Sequence, residues 1–94
     1  MLDGAHEFVA FMDAFITKYP EYQNKISGRG FYIAGESYAG KYIPLFGRYM
    51  HDYTGNLTLS GLLIGNPFTS PVIQRLNTYS VAASLGILDS YNMD

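Results

Sequence analysis

The sequence predicts an α/β chain built on a parallel sheet, and three observations carry that expectation. Apolar residues recur at helical spacing in two long stretches, two short and nearly continuous apolar runs follow them, and the order is helix, strand, helix, strand, helix. Two strands separated by a helix pair in parallel through a right-handed crossover.

The first helix is read from Phe8, Phe11, Met12, Phe15, Ile16 and Tyr19, which fall at i, i+3, i+4, i+7, i+8 and i+11 on one face. Asp3 is its expected N-cap and Pro20 closes it. Residues 21–30 are expected as a loop, with Gly28 and Gly30 flanking Arg29. That loop delivers a strand over residues 31–34 or 31–35. Tyr42, Leu45, Phe46, Tyr49, Met50 and Tyr53 again recur at helical spacing, but Pro44 cannot donate to a carbonyl four residues back. A short turn over residues 38–42 is therefore expected, then a kink or a fresh helix with Pro44 in its first turn. Thr54-Gly55-Asn56 ends it. Residues 57–64 read as the second strand, stopped by Gly65-Asn66-Pro67, and Pro71 opens a last helical stretch to about Leu85.

Both strands are apolar almost throughout, as in a sheet covered on both faces, and two such strands do not make a stable sheet alone. The 94 residues allow at most one small domain, and chains of that size bury only roughly 60 to 65 % of their unfolded surface. Hydrophobic residues make up 48 % and charged residues 15 %, where about 25 % charged is usual. Part of that apolar surface belongs against protein outside this chain. The expectation is a single partial domain over residues 1–94, taken from the middle of a larger one.

The formal net charge of -2 and six scattered Lys and Arg residues leave no basic stripe for nucleic acid. No apolar run approaches the roughly 20 residues of a membrane span, and Asp3 and Glu7 stand where a signal peptide would be basic, so no membrane partner, leader or anchor is expected. The absence of cysteine excludes a disulfide framework and a thiol nucleophile. The sequon Asn56-Leu57-Thr58 suits a secreted surface loop, although such triplets also arise by chance.

The chemistry is concentrated in Gly35-Glu36-Ser37-Tyr38-Ala39-Gly40, which follows the first apolar run and opens a helical stretch. A sharp strand-to-helix turn of this kind lifts a serine hydroxyl clear of the backbone beside unpaired N–H groups at the helix start. Ser37 is the candidate nucleophile of acyl transfer and the Tyr38 N–H a candidate oxyanion donor. Glycines are needed where strand and helix nearly touch, and Ala39 stands where the usual G-x-S-x-G pattern has its second glycine. Glu36 reads either as a solvated side chain at the rim or as a carboxyl group that meets a second carboxyl and shares a proton with it.

A serine nucleophile needs a histidine held by a carboxylate, in the chain order serine, acid, histidine for this kind of turn. His51 is the only histidine after Ser37, and no Asp or Glu lies between them. Fourteen helical residues separate the two by roughly 20 Å, too far for proton transfer. His6 precedes the turn and reads as a solvated histidine. Asp52, Asp89 and Asp94 are carboxylates without a histidine to orient, so no complete triad is expected.

Residues 31–44, from Phe31-Tyr32-Ile33-Ala34 through Gly40-Lys41-Tyr42-Ile43-Pro44, resemble the nucleophile segment of the serine carboxypeptidase family. Thr17-Lys18-Tyr19-Pro20-Glu21-Tyr22 is similar to the end of that family's preceding helix, and Leu62-Leu63-Ile64-Gly65-Asn66-Pro67 to the strand and Gly-Asn turn that follow. The resemblance implies a segment of an α/β-hydrolase fold and removal of C-terminal residues from peptides through an acyl-enzyme. It also implies an acidic secretory, vacuolar or lysosomal setting, and no cofactor or metal. By position it makes Ser37 the nucleophile, Tyr38 the oxyanion donor and Glu36 one of two glutamates that bind the substrate's terminal carboxylate. The upstream glycine-rich loop, the partner glutamate and the later Asp and His have no counterpart here, so the chain is expected to need the rest of the hydrolase domain. An acyltransferase or esterase of the same kind, or a non-catalytic truncated homologue, is the alternative.

Overall fold

A computed structural model of the chain describes residues 2–89 and residue 91. Its elements are α1 (Leu2–Lys18), a 3-10 turn (Pro20–Tyr22), α2 (Asn24–Ser27), β1 (Phe31–Glu36), α3 (Ala39–Asp52), β2 (Leu59–Gly65), α4 (Pro71–Leu76) and α5 (Thr78–Ser84). β1 and β2 form a two-stranded parallel sheet with α3 between them in sequence, as the pattern predicts.

Five expectations are corrected. Helix α1 already includes Asp3 in its first turn, so that residue is not the N-cap. Its carboxylate still favours the helix, because negative charge near the start complements the unpaired N–H groups there. The buried face is centred on Ala5 and Ile16, with Phe8, Val9, Met12 and Phe15 packed beside them, while Phe11 is 62 % exposed. Residues 21–30 are not a plain loop: the chain makes a 3-10 turn and one helical turn, capped by Gly28 in the left-handed region at φ 65°. Finally, α3 starts at Ala39 and runs unbroken through Pro44 to Asp52. Pro44 stands in the second turn of the helix and omits only the bond to the Gly40 carbonyl. The predicted C-terminal helix is in turn divided at Asn77 into α4 and α5.

The core lies on one side of the sheet. Ile16 of α1, Ile33 of β1, Ile43 and Met50 of α3 and Leu57 are buried together, and Phe8 stacks on Phe46 with ring centroids 4.7 Å apart. Alternation along β1 sends Ile33 inward and leaves Tyr32, Ala34 and Glu36 exposed on the opposite face, where Leu63 of β2 is also exposed. Among the described residues that second face is bare, so the cover its apolar strands call for does not come from this part of the chain. α4 and α5 touch mainly each other and bury no residue. The radius of gyration is 19.1 Å, against about 12 Å for a compact chain of this length.

The start of the sheet is irregular. The register slips between Phe31 and Tyr32, leaving Ser60 as an extra residue, and the Ser60 hydroxyl accepts the Phe31 N–H at 3.1 Å.

Candidate active site

β1 ends at Glu36 and α3 begins at Ala39, so Ser37 and Tyr38 make the whole turn between strand and helix. Ser37 has φ 58°, in the left-handed region where a residue with a Cβ is held only by its surroundings, at a cost of about 1–3 kcal/mol. Those surroundings are backbone. The Ser37 N–H donates to the Gly65 carbonyl at 3.1 Å, which extends the sheet ladder by one residue. The Ser37 carbonyl accepts from the Gly40 N–H at 3.0 Å and from the Phe68 N–H at 2.8 Å.

Two glycines allow this geometry. A Cβ on Gly35 would lie 2.7 Å from the Ala39 Cβ and 2.6 Å from the Ile43 Cδ1. One on Gly40 would lie 2.7 Å from the Pro67 Cβ and 2.8 Å from the Phe68 nitrogen. Ala39 itself packs against the core, so the missing glycine of the pattern is replaced by a methyl group that finds a place.

The segment after β2 is the clasp that sequence reading treated only as a stop. Asn66 has φ 40°, a conformation asparagine tolerates better than most residues. This turn carries Phe68 back to the Ser37 carbonyl. Gln74 of α4 holds the clasp: its side-chain oxygen accepts from the Thr69 and Ser70 N–H groups at 3.0 and 3.1 Å, and its side-chain nitrogen donates to the Pro67 carbonyl at 2.6 Å. The signal for the turn was the Gly-Asn-Pro sequence; nothing in the sequence pattern marked Gln74.

Ser37, Glu36 and Tyr38 are all exposed and adjacent at the C-terminal end of β1. Among the described residues nothing accepts a hydrogen bond from the Tyr38 N–H, which stands beside the serine at the start of a 14-residue helix and is free to donate to an anion. The Tyr38 ring lies 5.9 Å from that of Phe68 and 5.4 Å from that of Tyr42, an aromatic wall along one side of the turn. A shallow open depression runs along residues 34–36 and 63–66 on the bare face of the sheet. A more enclosed cavity of about 460 Å³ lies elsewhere, against Phe15, Tyr22 and Leu57, and includes no residue of the turn.

The histidines are remote from Ser37. His51 sits in the last turn of α3 beside Asp52, at 3.2 Å, with its side chain 81 % exposed. His6 packs edge-on against Tyr49, with centroids 4.6 Å apart. Asp52 also pairs with Arg48, and that guanidinium, then His51, holds its carboxyl below the ordinary range. Asp89 accepts from the Tyr91 N–H at 2.8 Å, and Asp94 lies outside the described residues. Among the described residues no group of three or more His, Asp or Glu side chains is placed to hold a metal ion.

A serine in left-handed backbone between a parallel strand and a helix defines the class: an α/β protein with its serine mounted on a strand-to-helix elbow. The family model described as serine carboxypeptidase matches residues 3–94, and the chain belongs to that family. It is 46 % identical over 65 residues to carboxypeptidase Y of Saccharomyces cerevisiae, covering 68 % of this chain and 12 % of that protein. It is 38 % identical over 87 residues to a pheromone-processing carboxypeptidase of Ogataea parapolymorpha, covering 92 % and 14 %. A serine carboxypeptidase family member of Dictyostelium discoideum is 39 % identical over 83 residues, covering 85 % and 19 %. The chain thus spans less than a fifth of the length of these curated relatives. No solved structure matches the chain.

Proposed function

We propose that this chain is the nucleophile-bearing segment of a serine carboxypeptidase with an α/β-hydrolase fold, which removes C-terminal residues from peptides through an acyl-enzyme. The observation that carries the proposal is the pair Glu36 and Ser37 at the elbow, within a chain whose family is serine carboxypeptidase. Ser37 attacks the scissile carbonyl, the Tyr38 N–H donates to the oxyanion, and Glu36 meets the terminal carboxylate of the substrate together with a carboxyl from outside this chain. The setting is the secretory pathway, a vacuole or lysosome, or the exterior.

The same proposal makes the segment inactive by itself, because neither His6 nor His51 reaches Ser37. Incompleteness is supported by the bare sheet face, the exposed α4 and α5, and a radius of gyration suited to a part and not to a compact whole. The test is hydrolysis of an N-blocked dipeptide by the full-length gene product in acidic buffer. Release of the C-terminal amino acid is expected, with the rate lost when the substrate's carboxylate is amidated. Cleavage of an ester and of no peptide would contradict the proposal.

A further inference from the structure

We propose that Gln74 is a positioning residue for the oxyanion donor: through two peptide groups in series, its side-chain amide aims the Tyr38 N–H. The inference rests on the reading above that Ser37 is the nucleophile and that this N–H meets the oxyanion.

A peptide group is planar, and in the trans form its C=O and N–H point in opposite directions, so fixing one end aims the other. The Tyr38 N–H belongs to the same peptide group as the Ser37 carbonyl, and the Phe68 N–H to the same group as the Pro67 carbonyl. Both groups are trans. The Gln74 side-chain nitrogen donates to the Pro67 carbonyl at 2.6 Å, and the Phe68 N–H at the other end of that group donates to the Ser37 carbonyl at 2.8 Å. The Tyr38 N–H is the free end of the series, since among the described residues nothing accepts from it. Hydrogen bonds in such a series polarise one another, which strengthens the terminal donor.

Gln74 fixes the start of this series. Its side-chain oxygen accepts from the Thr69 and Ser70 N–H groups at 3.0 and 3.1 Å, so one amide grips the backbone on both sides of Phe68. The Ser37 carbonyl has a second donor, the Gly40 N–H at 3.0 Å, but that bond lies inside the elbow and turns with it. Phe68 comes from the segment after β2 and ties the peptide group to the sheet. A flip of the Ser37–Tyr38 peptide would break both bonds and set the carbonyl oxygen against the developing negative charge.

The test is Gln74→Ala in the full-length gene product, assayed on an N-blocked dipeptide. kcat should fall about tenfold to a hundredfold, the effect of misplacing a catalytic group by about 1 Å, with KM held within about twofold. Inhibition separates aiming from folding. A peptide aldehyde, whose tetrahedral adduct with Ser37 places an oxygen on the Tyr38 N–H, should bind about tenfold more weakly, while the affinity of the N-blocked amino acid product is unchanged. Equal weakening of both ligands, or of neither, overturns the proposal. Gln74→Glu supplies a second arm. The introduced carboxyl, when protonated, accepts from Thr69 and Ser70 and donates to Pro67; once ionised it sets a bare oxygen against the Pro67 carbonyl. Its kcat relative to the parent should be near parity in the most acidic buffer and fall as the pH rises. A ratio that does not change with pH overturns the proposal even where Gln74→Ala fails to fold. A parent that cleaves no peptide overturns the functional reading and this inference with it, whereas an active parent matched by Gln74→Ala overturns this inference alone.

Discussion

The elbow and the C-terminal helices both follow a strand of the same sheet, yet the backbone of one is pinned by its neighbours and the other lies open. Around Ser37 the contacts are backbone to backbone, between residues 35–40 and residues 65–68, at distances where a single added methyl group has no room. Along α4 and α5 the apolar side chains face water: Val72 is 71 % exposed, Leu76 75 % and Val81 56 %. The difference shows where each segment's partner lies. The elbow finds its support within this chain, whereas nothing among the described residues covers α4 and α5.

Substitutions can break or sharpen that contrast. The largest effect is expected from Ser37→Ala in the full-length gene product, with kcat falling by about a millionfold and the urea midpoint of unfolding little changed. A residual rate near that of the parent would remove Ser37 from the chemistry. Next comes Gly40→Ala, whose Cβ meets the Phe68 nitrogen and the Pro67 Cβ; urea unfolding of the full-length product should show a loss of about 1–3 kcal/mol. Asn66→Ala forces a poorer residue into the left-handed conformation and should cost about 1 kcal/mol, while Asn66→Gly restores it. If both substitutions behave alike, the clasp does not depend on that backbone. The smallest effect is expected from Leu76→Ala in the 94-residue chain, less than about 0.5 kcal/mol, read as unchanged amide exchange in β1 and β2. Faster exchange there would show that α4 does support the sheet.

Much of this was legible in the sequence, and the failures have physical causes. β1 and the elbow were read to within two residues, because Gly35, Ser37 and Gly40 each answer a local requirement of the turn. The helix does not start afresh at Pro44, since a proline in the second turn removes one bond near the helix end, and packing of Ile43, Gly47 and Met50 holds the rest. Phe11 was placed on the buried face by spacing alone. Hydrophobic periodicity over two turns does not distinguish a stripe centred on Ile16 from one shifted toward Phe11 when both flanks are aromatic. The clasp from Phe68 to Ser37 was invisible because its donor and acceptor are main-chain groups 31 positions apart, which no side-chain pattern records. The glutamine that latches the clasp acts through hydrogen bonds to loop backbone, and its type carries no such signal.

The central claim is that this chain assembles the nucleophile's mount but not its base. Reaction with a fluorophosphonate tests it most directly, because the probe labels a serine only when a neighbouring base activates it. The full-length gene product should be labelled at Ser37, and the 94-residue chain, treated in parallel, should not. Labelling of Ser37 in the short chain, or a full-length product labelled at another serine, would contradict the account.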